Sequence, residues 1–474
     1  MKFLLLFLLS GGGHRHDPRA SKLRFLDPIK GSNPLNKKPL SLSSSGDSEP
    51  GRGGQGSAFS NGFQQQQQQQ PQQKRRQQHH RAVPATIRPN PLVISGPGKN
   101  NKTRLKTILY WNEFYGRYDT YDFGYGHEAF VEKQCPYSNC FATKDRSILP
   151  LEEFDAIIIH IRGLPNDWPK VRSAKQRYIM LSIEAPIHLA EYRHLDQLMF
   201  NWTMTYRLDS DFPIPYAWID QVMPLPAPAD DPSLLQRFIV QHGRKAVDKG
   251  PNLADGKVGL AVQFVSNCHS ASGREIYVRE LQKFIPVDIY GKCGEFKCAK
   301  DKGWECYRMA ESKYKFYLSF EDAMCKDYAT EKFFTMYSLK MIPIVLGGAN
   351  YSHMAPPHSF INAADFKSPK ALAHHLKILD ADDAKFNEYF WWKDFYRRKF
   401  HHHQTLCDVC EKLNTDTVPV GPPNSSGGGS SPRRPTPAPR TSVYPDMHEW
   451  WVGQAECKSL HFDGEDHTQF LPVE

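Results

Sequence analysis

The chain lacks a long apolar run. The stretch near its start, Phe3 to Leu9, has seven residues, whereas a helix needs about 20 to span a bilayer. It follows Lys2 and stops at Ser10-Gly11-Gly12-Gly13. Residues 1–10 therefore read as a weak signal peptide, whose apolar core is roughly 7–15 residues, or as what is left of a truncated anchor. No internal repeat is visible, and no nucleic-acid recognition motif accompanies the formal charge of +9. Much of the basic excess lies in the first hundred residues, in runs such as Lys74-Arg75-Arg76. Charge without a motif does not make a nucleic-acid binder, so nucleic acid is not an expected partner. A zinc centre is also poorly supplied. His401 to His403 stand beside Cys407 and Cys410, but no second cysteine pair lies at zinc-finger spacing. A disulfide is the stronger reading of Cys407 and Cys410.

The ten cysteines are even in number and clustered: Cys135 and Cys140; Cys293, Cys298 and Cys306; Cys407 and Cys410. Such clusters are metal ligands in a reducing compartment or disulfides in an oxidising one. Four Asn-x-Ser/Thr acceptors, at Asn101, Asn201, Asn350 and Asn424, favour the secretory reading. The pairing of the remaining cysteines stays open.

At 474 residues the chain exceeds what one core usually organises, and two folded domains are expected. Residues 11–104 hold Ser/Gly/Pro text, a glutamine tract from Gln64 to Gln70 and a Gln/His/Arg mixture. That composition buries too little apolar area to offset ordering entropy, so a disordered stem is expected there. Residues 105–250 form a first unit, with strands at Thr107–Trp111, Phe154–His160 and Tyr178–Ile183. A Pro-rich passage from Pro213 to Pro232 follows, then a helix and a break at Lys249-Gly250-Pro251-Asn252.

Residues 251–400 repeat the alternation. Strands are expected at Val258–Val265, Val287–Tyr290, Lys315–Phe320 and Pro343–Leu346. A helix over Gly273–Phe284 places Tyr277, Leu281 and Phe284 on one face, a second starts at the N-cap Thr330 and runs to about Lys340, and two more cover 368–379 and 382–399. Residues 401–474 are a tail with Cys407-x-x-Cys410, a flexible linker, and a last ordered piece from Val443 to Cys457. The fold class is α/β: two Rossmann-like domains facing a cleft, with ligand beyond the carboxyl ends of the strands.

The most informative passage is Tyr314-Lys315-Phe316-Tyr317-Leu318-Ser319-Phe320-Glu321-Asp322, followed by Asp327-Tyr328-Ala329-Thr330-Glu331-Lys332. A buried strand delivers polar residues to a loop and then to a capped helix start, whose free N–H groups and positive end suit a diphosphate. Lys332 adds full charge and Glu331 a carboxylate. Read alone, Glu331 and Lys332 are equally ordinary first-turn residues, and Glu184 before Ala185-Pro186 is equally a solvated strand end.

This passage resembles the donor-binding signature of the α1,3-fucosyltransferases of glycosyltransferase family 10. Further blocks agree in order: Val265-Ser266-Asn267-Cys268, Arg274, Val287 to Gly291, Pro343 to Gly347, Ser359-Phe360-Ile361, and Asp365-Phe366. In the first unit Glu184-Ala185-Pro186, Phe200-Asn201-Trp202-Thr203, Tyr206-Arg207 and Asp209-Ser210-Asp211 are similar to the family's E-S-P and F-N-W-T-x-x-Y-R-x-D-S-D. Asp209-Ser210-Asp211 has metal-site spacing but falls within that block. The similarity covers roughly 105–415 and includes the C-terminal C-x-x-C.

The resemblance implies the GT-B fold, with the acceptor mainly in the first domain and GDP-fucose in the second. It implies donor binding by Arg274, Asp322, Tyr328, Glu331 and Lys332, and inversion with Glu184 as general base, Glu331 opposing charge at the anomeric carbon. No cofactor is implied as required, a divalent metal being at most stimulatory. The expected partners are GDP-fucose and a glycoprotein N-glycan, and the Golgi membrane if an anchor exists; the family is one of type II Golgi lumenal enzymes. Two positions depart from the pattern. Asp322 stands for the family's Asn, followed by Ala323 for Ser, and places an acceptor-only carboxylate where a diphosphate would sit; Ala185 stands for the Ser of E-S-P. Cys325 to Tyr328, Tyr290 to Gly294 and His448 to Trp451 resemble invertebrate members, which favours the core N-acetylglucosamine as acceptor. The alternatives are a Lewis-type antennal enzyme and a non-catalytic glycan-binding relative.

Overall fold

The computed structural model describes residues 92–95, 102–116, 123–162, 168–188, 195, 199–225, 231–400, 402–416, 443–463 and 467–473. The short apolar N-terminus, the glutamine tract, Asn101, His401 and Asn424 lie outside them.

The first half is a five-stranded parallel sheet: β1 (Lys106–Tyr110), β2 (Cys140–Thr143), β3 (Ala156–His160), β4 (Arg177–Ser182) and β5 (Trp202–Thr205), in the order β2-β1-β3-β4-β5. The second half repeats it with β6 (Gly259–Phe264), β7 (Val287–Tyr290), β8 (Tyr314–Phe320), β9 (Ile342–Leu346) and β10 (Ile361–Asn362), in the order β7-β6-β8-β9-β10. Every residue of β3, β4, β8 and β9 is buried, as parallel strands covered on both faces require. Each sheet changes winding direction beside its first strand, between β1 and β3 and between β6 and β8. Open α/β sheets bind ligand at that switch point, outside the carboxyl ends.

Helix α1 (Pro232–Lys249) starts with Asp231 accepting from the Ser233 and Leu234 amides, has Pro232 in its first turn, and ends at Gly250. It buries Leu235, Ile239, Gly243 and Ala246 at helical spacing. Gly243 is where a second-half helix crosses it, since a β-carbon there would fall 2.2 Å from the Ala384 carbonyl oxygen. The second half carries α2 (Arg274–Gln282), α3 (Trp304–Lys313), α4 (Glu331–Phe334), α5 (Pro369–Asp380) and α6 (Asp383–Glu388). Helix α7 (His402–Thr415) and the short α8 (Met447–Trp451) follow.

Several expectations need correction. Folded chain begins within the segment assigned to the stem: Val93–Ser95 pairs with Lys102–Arg104, and Leu92 is buried. The Pro-rich passage contains a strand, Trp218–Gln221, which pairs antiparallel with Tyr396–Lys399. The helix expected over 382–399 therefore stops at Glu388, passes through a turn at Trp391–Asp394 and ends as that partner strand. Phe284 lies past the end of α2 and is exposed, while Tyr277 and Leu281 are buried. The helix expected to reach Lys340 is one α turn plus a tighter turn at Thr335–Ser338.

All ten cysteines are bonded: Cys135–Cys407, Cys140–Cys410, Cys268–Cys293, Cys298–Cys306 and Cys325–Cys457. Cys407 and Cys410 bond across to the first half rather than to each other. They lie three residues apart on α7, on the helix face turned to Cys135 and Cys140. Lys412 to Asp211, and Asp416 just past the helix to Arg177, add ion pairs to the first half, so α7 packs on it. The segment 443–472 then touches both halves. Tyr444 donates to Asp211, Trp451 is buried 5.7 Å from the Tyr206 ring, and Cys457 is bonded to Cys325. Its hairpin, β11 (Lys458–Asp463) with β12 (His467–Pro472), donates from the Leu460 amide to the Ser272 carbonyl at 3.0 Å. Gly273 holds φ +71° and a β-carbon there would lie 3.3 Å from Leu460.

Candidate active site

The carboxyl ends of the two sheets supply one constellation. On the second-half side, β8 ends in Phe320 and Glu321 follows with no exposure. Its carboxylate accepts from the Thr330 amide at 2.7 Å, from the Thr330 hydroxyl at 2.9 Å and from Lys332 Nζ at 3.0 Å. Thr330 also caps α4 by accepting from the Lys332 amide. Glu321 thus ties strand end, cap and lysine together. Burial pushes its pKa up, with Lys332 pulling the other way. Sequence reading quoted Glu321 within its motif but gave it no role.

Lys332 also lies 4.0 Å from Asp322 and 4.0 Å from Glu331, whose side chain is more exposed. Burial disfavours its charge, but Asp322, Glu321 and Glu331 outweigh that and raise its pKa. Asp322 Oδ1 lies 3.4 Å from His188 Nε2 of the first half. Burial works against the Asp322 charge, yet Lys332, His188 and Arg274 hold its carboxyl well below the usual range. The carboxylate that replaces the family's amide is therefore balanced by three cationic or protonatable neighbours, not left to repel alone. Arg274 opens α2 but is almost fully buried, donating to the Phe320 carbonyl at 2.7 Å and to the Asn267 carbonyl at 3.4 Å. Among the described residues its buried Nε has no hydrogen-bond partner.

Tyr328 joins the halves. Its ring packs edge-on to Tyr206 at 5.0 Å, to Tyr216 at 6.3 Å and to His188 at 6.4 Å. Burial first, then the charges of Asp322, Glu184, Glu321 and Glu331, raise its pKa. Asp327 beside it, at φ +60°, accepts from the Leu208 amide at 3.1 Å, and Lys326 pairs with Asp209 at 3.1 Å.

On the first-half side, Glu184 lies two residues past β4 and is mostly buried. Tyr115 donates to its Oε1 at 2.8 Å, and Arg162 Nη1 donates to the same oxygen. The Tyr216 hydroxyl fixes the preceding carbonyl, Ile183, at 2.9 Å. Tyr115, Arg162, His188 and Tyr216 were not among the residues the sequence pointed to, and Tyr206 stood only within a motif, without a role. The only signal for Arg162 was a charged residue two positions past an apolar strand.

Asp209 is bound to Arg207 and Lys326, and Asp211 to Thr203, Tyr444 and Lys412. Both carboxylates cross-link the fold. Asn201 is a correction: it is buried, and its side-chain oxygen accepts from the Tyr178 amide at 2.8 Å and from Arg172. A glycan would have to break that packing. Asn350 is exposed.

Two family models match the chain: "Fucosyltransferase, N-terminal" over residues 103–217 and "Glycosyltransferase family 10 (fucosyltransferase) C-term" over 254–420. Alpha-(1,3)-fucosyltransferase C of Drosophila melanogaster is 33% identical over 366 residues, 75% of this chain and 79% of that protein. The chain belongs to glycosyltransferase family 10, the fucosyltransferases. Glycoprotein 3-alpha-L-fucosyltransferase A of the same organism is 32% identical over 75% of this chain and 62% of its own length. Human 4-galactosyl-N-acetylglucosaminide 3-alpha-L-fucosyltransferase FUT5 is 35% identical over 59% and 70%. A crystal structure of an α1,3-fucosyltransferase with GDP aligns with 69% of this chain and 95% of its own at 18% identity and a TM-score of 0.40, and the assignment does not rest on it. This fucosyltransferase has no helix among its described residues long and apolar enough to cross a membrane. Its tail 443–472 lies beyond both matched ranges.

Proposed function

We propose that this enzyme transfers L-fucose from GDP-fucose, with inversion, to the 3-hydroxyl of N-acetylglucosamine on glycoprotein N-glycans, the core residue being the preferred acceptor. The observation that carries the reading is that Tyr328 packs both on Tyr216, whose hydroxyl holds the carbonyl just before Glu184, and on His188, which lies 3.4 Å from Asp322, itself 4.0 Å from Lys332. Lys332, whose ammonium is within 4.0 Å of Asp322 and Glu331, meets the diphosphate. Arg274 adds positive charge from beneath through its buried guanidinium. Glu331 faces the sugar as positive charge develops at its anomeric carbon. Glu184 takes the proton of the acceptor hydroxyl as that oxygen attacks opposite the leaving GDP. Lysine and arginine neutralise the leaving group, so no cofactor is required and a divalent metal at most stimulates. The setting is the Golgi lumen, with membrane attachment through an N-terminal anchor where one is present.

The decisive experiment offers labelled GDP-fucose with a panel of core N-glycans and N-acetyllactosamine acceptors. Label on the innermost N-acetylglucosamine supports the core reading. Label confined to antennae selects the Lewis-type reading that the similarity to the human relative favours, and no transfer to any acceptor refutes catalysis. In Glu184→Gln, transfer should fall roughly 10²–10⁴-fold with GDP-fucose binding retained, the usual contribution of a positioned general base.

A further inference from the structure

Three segments distant in sequence meet at the carboxyl ends of β1, β3 and β4. Tyr115 sits in the loop after β1, Arg162 two residues past β3, and Glu184 two residues past β4. Arg162 Nη1 donates to Glu184 Oε1 and, at 3.3 Å, to the Tyr115 hydroxyl, which itself donates to Oε1 at 2.8 Å. Both donors reach the same oxygen. Among the described residues none donates to Oε2. An arginine serving only as an ion-pair partner would gain most by forking across both carboxylate oxygens; here one nitrogen is used and the tyrosine fills the second position on Oε1. Tyr115 holds φ +52°, a backbone state that residues with a β-carbon keep only when their surroundings impose it, and that clusters at functional sites. Behind it, His160 packs 5.3 Å from the Tyr115 ring and is itself held by the Glu113 carbonyl.

A carboxylate held at one oxygen has one orientation and one open acceptor. We infer that Tyr115 and Arg162 are positioning residues of the transfer reaction, fixing Glu184 through Oε1 so that Oε2 receives the acceptor's proton. This rests on the reading of Glu184 as base. In the step, the acceptor O–H bond breaks and its proton goes to Oε2. The freed oxygen pair bonds to the anomeric carbon, and the bond from that carbon to the phosphate oxygen breaks, its electrons leaving with GDP. A loosely held carboxylate would still bind near the acceptor but would miss the proton, so the effect belongs to turnover and not to donor affinity.

The test measures turnover and GDP binding for Tyr115→Phe, Arg162→Lys and Arg162→Gln, each alone and combined with Glu184→Gln. Expected are a fall in kcat on the order of 10²-fold for Arg162→Gln, the scale of a misplaced reacting group. Tyr115→Phe should lose about tenfold, the worth of one hydrogen bond, and Arg162→Lys should recover part of the arginine loss. The Kd for GDP should stay within about twofold in all of them. In the Glu184→Gln background either substitution should add no more than about twofold, because residues acting through one group do not add. Parental kcat in both Tyr115→Phe and Arg162→Gln, or losses that multiply fully with Glu184→Gln, would overturn the inference while leaving Glu184 as the base. Parental turnover in Glu184→Gln alone would instead refute the base. Should Arg162→Gln fail to fold, Tyr115→Phe, which deletes one oxygen, carries the same cycle.

Discussion

Replacing Lys332 with alanine perturbs two things that the geometry allows to be separated. Its ammonium is 3.0 Å from the wholly buried Glu321 carboxylate and 4.0 Å from Asp322 and Glu331. Removing one partner of a buried ion pair leaves the other unpaired, at about 3–5 kcal/mol. Losing a charged hydrogen bond to a phosphate costs about 1.5–3 kcal/mol of binding, roughly a 10- to 150-fold weaker Kd. The single variant should show both losses. The double variant Lys332→Ala with Glu321→Gln removes the stranded charge, because a neutral amide can still accept from Thr330. It should recover much of the stability and none of the GDP affinity. Urea unfolding and titration calorimetry with GDP measure the two quantities on the same preparations. A single variant within about 1 kcal/mol of the parent in stability would refute the burial argument. A double variant that binds GDP as tightly as the parent would refute the placement of the donor.

Stability should also depend on pH through His160. Burial holds its pKa down at about 4, from an ordinary 6.5. Between those values the unfolded chain binds a proton that the folded protein refuses, so the contribution is complete above pH 6.5 and is lost as pH falls towards 4. That amounts to about 2 kcal/mol between pH 6.5 and 5. In His160→Asn, whose amide can still donate to Glu113, urea midpoints should fall less steeply over that range, and an unchanged slope would count against the argument. Peptide mapping of protein from a secretory host should give Cys135–Cys407, Cys140–Cys410 and Cys325–Cys457 with Asn201 unmodified; a Cys407–Cys410 peptide would contradict the packing of α7. Because Cys457 anchors the loop that carries Asp322 and Tyr328, Cys457→Ser should raise the KM for GDP-fucose and speed proteolysis of the tail, and unchanged values for both would show that the loop holds its shape alone.

Seven of the ten sheet strands were legible because their apolar runs are local, whereas Cys140–Thr143, Trp202–Thr205 and Ile361–Asn362 were not expected as strands. Ala156 to His160 and Tyr314 to Phe320 have one hydrophobic reading wherever they are placed, and the capped start at Thr330 depends on neighbours within three residues. Pairing across distance was not legible. Tyr396 to Lys399 is a tyrosine followed by three basic residues, which suits a helix end as well as an edge strand, and only the presence of Trp218 to Gln221 beside it decides. The cysteines at 407 and 410 have a local partner in each other by spacing, but the face of α7 turns both towards the first half. Asn201 satisfies the glycosylation sequon, yet the fold spends its side chain on the Tyr178 amide. The same division runs through the site. Glu184, Glu331 and Lys332 stand in motifs that a chain segment carries by itself. Tyr115, Arg162 and His188 gain their roles only when loops after different strands are brought to one switch point, where Asp322 of the second half lies 3.4 Å from His188.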